Sequence, residues 1–120
     1  MRIVDLNIAE LLARYVEIGL QQSEATLDGE VERFNLLFDE MIAVENELQM
    51  RDGDQRYRLV SLYEHANAQV RLNAIKATLA VAPQIARGAL EALAESREYP
   101  QSMDAGMCIR ALDDGTFKPT

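Results

Sequence analysis

The second half of the chain repeats itself, and this limits the fold more than any single residue does. Val70-Arg71, Ala74-Ile75 and Leu79 return as Met103-Asp104, Met107-Cys108 and Leu112, each 33 residues later. Ahead of them, Leu59 and Leu62 return as Leu90 and Leu93 after 31 residues, so the second copy has an inner loop two residues longer. A period of this size belongs to helical hairpins, which cannot bury their apolar faces alone and stack on a neighbour instead. Two such hairpins in sequence predict a short α-solenoid.

The punctuation along the chain agrees. Asn7-Ile-Ala-Glu10 reads as a capping box: an Asn oxygen takes one orphan backbone N–H, and a Glu three residues on reaches back for another. A first helix then runs to about Gln22–Ala25. At about 100° per residue, Asn7, Glu10, Arg14, Glu17 and Gln21 share one narrow polar strip, while Leu6, Ile8, Leu11, Leu12, Tyr15, Val16, Ile18 and Leu20 fill most of the remaining arc. So wide an apolar arc needs cover on more than one side, within the domain or from a second copy of the chain. Asp28-Gly29-Glu30 opens a second helix reaching Met50–Arg51, with Gly53 as a stop. Val31, Phe34, Leu37, Phe38, Met41, Val44 and Leu48 form its expected core stripe, and Glu45 lies at the edge of that stripe. Asp54 is placed to cap a third, shorter helix carrying Tyr57, Leu59, Val60, Leu62 and Tyr63. Asn67 caps a fourth, from Ala68 to about Ala82. Pro83 and Pro100 suit the first turns of a fifth helix, ending near Ser96, and a sixth, ending near Gly115. No segment sustains strand alternation.

The residues of the fourth helix carry a resemblance. Asn67-Ala-Gln-Val70-Arg71-Leu-Asn-Ala74 resembles the start of the second helix of a HEAT repeat, in which a capping Asp or Asn precedes Val-Arg and then small residues. The stretch Asp54–Gly115 is similar to a family of short bacterial HEAT-like proteins without assigned chemistry, so the resemblance implies a fold and no catalytic residues. Met103-Asp104 departs from Val-Arg, which makes the last repeat degenerate. The expected architecture is all-α: a single domain over 1–120, built as a right-handed HEAT-like solenoid of about six helices in three antiparallel hairpins. Its parts are an acidic hairpin at 5–53, a repeat at 54–82, a degenerate repeat at 83–115 and a tail at 116–120. Arg71 falls within a small-residue arc of the fourth helix, where Asn73, Lys76 and Ala80 mark the solvent side. Asp104 occupies the equivalent place on the sixth helix. The repeat therefore pairs Arg71 with Asp104, with Glu45 as the competing acceptor.

Charge then narrows the partners. The chain of 120 residues has 12 Lys+Arg against 20 Asp+Glu, a formal net charge of −8. Residues 1–53 hold 12 acids and 4 bases while residues 54–120 hold 8 of each, so the whole excess sits on the first hairpin. This balance argues against nucleic acid or an anionic membrane as partner. The outward side of the second helix gathers Glu32, Asp39, Glu40 and Glu47 around Leu36 and Ala43, which is either a solvated face or a docking surface for a basic protein. Asp5 and Glu10 interrupt any signal-peptide core, and no apolar run reaches membrane-span length, so a cytoplasmic protein is expected.

Catalytic parts are hard to assemble from these residues. One Cys cannot close an intrachain disulfide, and structural zinc sites built on cysteine need several. One His cannot supply the paired Glu-x-x-His arrangement of a di-metal bundle. His65 reads as a loop residue and Cys108 as a small buried hydrophobe. No phosphate-binding glycine loop or nucleophile elbow is present, Asp52-Gly53-Asp54 is too short for a calcium loop, and the four tyrosines are too dispersed to stack bases. Met41, Met103 and Met107 read as core, and Met50 as exposed. No cofactor or metal is expected. The expectation is a non-enzymatic protein-binding module, of the adaptor, inhibitor or immunity kind, that engages a basic partner. The alternative is a small-molecule or catalytic site at a homodimer interface, using His65 and acids from two chains; independently, the wide apolar arc of the first helix suggests a homodimer through that helix.

Overall fold

Residues 2–120 are described by a computed structural model; Met1, at the start of the N-terminal segment read above, lies outside them. Five α-helices and two 3-10 segments account for the regular structure, and no strand occurs among the described residues. The chain divides into two compact units, residues 1–58 and 59–120.

The first unit is a helical hairpin. A 3-10 turn, Ile3–Asp5, precedes α1, Ile8–Leu27, and α2 is Val31–Met50. The capping box forms as expected: Asn7 Oδ1 accepts from the Glu10 N–H at 2.8 Å, and Glu10 Oε1 accepts from the Asn7 N–H at 2.9 Å. α1 continues to Leu27, where Gly29 takes a left-handed φ of 70°. The Glu30 N–H then reaches Ala25 O at 2.8 Å and the Gly29 N–H reaches Thr26 O at 3.3 Å, a Schellman closure that turns the chain back in three residues. Leu11, Tyr15, Ile18, Gly19, Gln22 and Ala25 are buried on α1, and Leu37, Met41, Val44 and Leu48 on α2. The core stripe expected for α2 is narrower than its periodicity implied. Val31 and Phe38 are exposed, Val31 at 69%, and Phe34 is half-buried, because one facing helix covers only the seam spaced by threes and fours from Leu37 to Leu48. At the far end of α2, Arg51 pairs with Glu47 at 2.6 Å and donates through Nη2 to Leu6 O at 2.7 Å, tying the N-terminal segment down.

The expected third α-helix is instead a 3-10 helix, Gln55–Glu64. Its apolar residues explain the difference: Leu59 and Leu62, and separately Tyr57, Val60 and Tyr63, are spaced by threes and superimpose at three residues per turn. Asp54 starts it in a left-handed conformation, φ 47°, and receives the Arg56 N–H at 3.3 Å.

In the second unit α3 is Ala68–Ala77, α4 Pro83–Glu95 and α5 Gln101–Asp113. Asn67 caps α3 as expected, accepting from the Gln69 and Val70 N–H groups at 2.9 and 3.1 Å. α3 stops five residues before the expected Ala82. The Thr78 hydroxyl donates back to Ala74 O at 2.8 Å, and Pro83 bars the residue before it from helix, so the chain turns over Thr78–Ala82. Leu72, Ile75, Leu79, Ala86, Leu90, Leu93, Ala105 and Cys108 form the core of this unit, and Phe117 of the tail packs against it. The repeat-equivalent pairs Leu72/Ala105 and Ile75/Cys108 are buried in both copies. Val70/Met103 and Ala74/Met107 are not equivalent in burial: Val70 and Ala74 are inaccessible, whereas Met103 is 61% exposed and Met107 is exposed beside it. The two methionines expected in the core are thus on the surface, because α5 is buried only along its Gln101–Ala105–Cys108 side.

Candidate functional site

The outward face of α2 contains the residues expected to bind a partner, and hydrogen bonding separates them into two groups. Glu40 is ion-paired with Arg14 of α1, which also donates through Nε at 2.9 Å, and Glu47 is held by Arg51. Both carboxylates are only partly exposed and already neutralised. Glu32 and Asp39 are exposed and make no ion pair among the described residues. Between the two groups lie Leu36, 72% exposed, Ala43, exposed, and at the helix end Met50, 81% exposed. Leu36 and Met50 are the large apolar side chains exposed on this line of the helix, with the small Ala43 midway between them. The acidic face of the sequence is therefore an apolar ridge with free acids along one side.

Glu45 has a different role from the one expected. Its Oε2 accepts from the Tyr15 hydroxyl at 2.6 Å. Burial, and then the Glu45 charge, push the Tyr15 hydroxyl well above its ordinary pKa. Glu45 also lies near Arg56, whose guanidinium grips Asp54 through Nε at 2.9 Å and Nη2 at 2.8 Å. Asp54 is held below its ordinary pKa chiefly by that contact.

Arg71 pairs with Glu98 at 2.6 Å, in place of the expected Asp104. Glu98 lies in the longer α4–α5 loop, which brings a carboxylate closer to the guanidinium than the repeat-equivalent position on α5 does. Arg71 lowers the Glu98 pKa. A carboxylate depressed in the folded state contributes stability above its unfolded pKa, and that contribution disappears as pH falls through the folded value. Glu98→Gln is therefore expected to flatten the acid limb of the stability profile below about pH 4.5. At pH 7 it costs less than about 1 kcal/mol because the pair is open to solvent. Asp104→Ala stays within about 0.5 kcal/mol of the parent. Urea titrations from pH 3 to 7 on both variants check the assignment.

A buried polar ladder was not visible in the sequence. Gln101 Nε2 donates to Gln69 Oε1 at 3.0 Å, and Gln69 Nε2 donates to Asn73 Oδ1 at 2.9 Å. All three residues are buried, so Asn73 is inside the fold and not on the solvent side expected for it. The i, i+4 spacing of Gln69 and Asn73 was the one local signal, but their partner Gln101 is remote in sequence. His65 Nδ1 accepts from the Asn67 N–H at 3.0 Å, a turn role. The Cys108 thiol is buried, and burial raises its pKa, which disfavours the reactive thiolate. No group of three or more His, Cys, Asp or Glu side chains able to hold a metal occurs among the described residues, and no helix among them is long and apolar enough to cross a membrane. The apolar arc of α1 is buried or half-buried from Leu6 to Leu20.

A family model described as a domain of unknown function, DUF2019, matches residues 9–113. The chain belongs to the DUF2019 family. The match covers α1 from Ala9, all of α2 with its outward face, the amide ladder and α5 to its last residue, Asp113, while the Asn7 cap and the tail with Phe117 lie outside it. The chain is also similar to the protein RPA1889 from Rhodopseudomonas palustris CGA009, known from a crystal structure. The two are 48% identical, the match covers 100% of this chain and 99% of that one, and the TM-score is 0.96. The all-helical fold is thus shared with a solved bacterial protein. No curated protein matches the chain.

Proposed function

We propose that this DUF2019 chain is a non-enzymatic, HEAT-like helical-repeat protein of the cytoplasm that binds a basic protein partner through the outward face of α2. The HEAT-like reading rests on the 33-residue recurrence and on the Asn67 cap ahead of Val70-Arg71. The single observation that supports binding is the apolar ridge of Leu36, Ala43 and Met50 beside the unpaired Glu32 and Asp39. The field of the acidic hairpin draws a cationic partner toward it, and the ridge offers apolar surface for that partner to cover. An inhibitor or adaptor that covers a cationic protein needs these two properties and no catalytic group.

Affinity capture from the source cell tests this, using the parent chain, Leu36→Asp and Asp39→Lys. Both residues are exposed, so the variants are expected to fold normally, which circular dichroism checks. A basic protein retained stoichiometrically by the parent is expected to bind each variant at least about 10-fold more weakly, a loss of about 1.4 kcal/mol. Its affinity should also fall as salt rises. Binding that is indifferent to both substitutions and to salt overturns the reading.

A further inference from the structure

The outward face of α2 also indicates the shape of what it binds. Leu36, Ala43 and Met50 recur every seven residues, and so do Glu32, Asp39 and Asn46 on one flank and Arg33, Glu40 and Glu47 on the other. Seven residues fall about 20° short of two full turns, so each row runs almost straight along the helix. From Leu36 to Met50 the apolar row extends for about 21 Å at 1.5 Å per residue. With one apolar residue per heptad, this is a single apolar row with a polar row on each side, narrower than the paired a and d rows of a coiled-coil seam. The centre of the seam is the small Ala43, which lets a facing backbone approach or admits a large side chain between Leu36 and Met50.

The flanks are not equivalent. Glu40 and Glu47 are held by Arg14 and Arg51, whereas Glu32 and Asp39 are exposed and form no ion pair among the described residues. Charge complementarity therefore acts on one side of the seam only. On the surface of this hairpin, which carries the whole acidic excess of the chain, it calls for a cationic occupant.

We propose that the occupant is an amphipathic α-helix of about four turns. Its apolar residues, spaced by threes and fours, seat a large side chain over Ala43 between Leu36 and Met50, and its Lys or Arg residues lie along the Glu32–Asp39 flank. This rests on the protein-binding reading above and adds the partner's secondary structure and register. A helix laid along the row keeps its apolar stripe and its cationic row on parallel lines over the whole length of the face.

The test uses the full chain, isotope-labelled for NMR, and a synthetic amphipathic peptide of about 20 residues with a leucine seam and a lysine flank. A second peptide has the same composition with two central prolines, and a third has each lysine replaced by glutamate. The first peptide is expected to shift resonances of the outward residues between Glu32 and Met50 in a saturable way, and to gain helical ellipticity on binding. Ala43→Lys should weaken it by at least about 10-fold, the proline peptide should bind at least about 10-fold more weakly, and the glutamate peptide should not bind. A proline peptide that binds as tightly as the first overturns the helical occupant and leaves the acidic docking face standing. Absence of saturable shifts at millimolar peptide, or shifts confined to other helices, also overturns the helical occupant. If the first peptide binds Leu36→Asp and Asp39→Lys as well as it binds the parent, the docking face itself falls.

Discussion

Replacing Gln69 by leucine lowers the stability of this protein by about 2–4 kcal/mol, although leucine is apolar, similar in size and a good helix former. Gln69 is buried and is the middle rung of the ladder, accepting from Gln101 Nε2 and donating to Asn73 Oδ1. Leucine removes both bonds at once and leaves the Gln101 amide to face an alkyl group out of water, where a lost partner costs about 1–3 kcal/mol for each group affected. Gln101→Leu removes a single bond at the end of the ladder and is expected to cost about half as much. The double variant should be more stable than Gln69→Leu alone, because substituting both partners of a hydrogen bond removes the penalty along with the bond. Ser102 provides the control. Its buried hydroxyl has no hydrogen-bond partner among the described residues, so Ser102→Ala is expected to lie within about 0.5 kcal/mol of the parent or above it. Urea midpoints at constant slope measure all four. A Gln69→Leu variant as stable as the parent means the ladder contributes nothing.

The contrast between Gln69 and Val31 shows where sequence reading works in this chain. Asn7, Asn67 and Pro83 act on backbone groups within a few residues, and their roles as caps and as a helix start follow from local chemistry alone. Periodicity correctly indicated which line of α2 faces α1, but it could not tell how wide the facing surface is. Val31 and Phe38 match the pattern and remain exposed because burial depends on the reach of the neighbour and not on the helix that carries them. Met103 and Met107 were misplaced for the same reason. Asn73 failed in the opposite sense: its polar type pointed to solvent, yet Gln69 beside it and Gln101 from another helix satisfy a polar group within the core. Arg71 shows the limit of the repeat itself. The internal match singled out Asp104, while the acceptor is Glu98, in a loop whose extra residues have no counterpart in the first copy. Of the candidate site, the shared face of its residues was legible, and so was the i, i+4 pair of Glu47 with Arg51, whereas the pairing that removes Glu40 depends on Arg14 of the other helix coming within reach in the fold.

The second large effect is expected at Arg56, which the sequence did not single out. Its side chain is only 11% exposed, and it holds Asp54 by two hydrogen bonds where the backbone takes a left-handed turn. It also faces the charge of Glu45, the carboxylate that accepts from the fully buried Tyr15 hydroxyl. Arg56→Met keeps the aliphatic bulk and removes the cation, so two carboxylates lose the positive charge between them. Breaking a buried pair from one side costs about 3–5 kcal/mol, and with Asp54 partly open to water the expectation here is about 2–4 kcal/mol. Removing all three polar groups together, as Arg56→Met with Asp54→Gly and Glu45→Gln, should cost less than Arg56→Met alone, since no uncompensated charge remains. Tyr15 reports the same network through pH. Its pKa is raised in the folded state, so its contribution is complete below about pH 10 and is lost as pH rises above the unfolded value toward the folded one. Tyr15→Phe is therefore less stable than the parent at pH 7, by about 1.5–3 kcal/mol for a hydrogen bond to a charged acceptor, and loses less stability than the parent between pH 9 and 11. If Arg56→Met unfolds at the parent's urea midpoint, the charges of this network are held by solvent and not by one another. If Tyr15→Phe keeps the parent's alkaline slope, the hydroxyl does not titrate with unfolding.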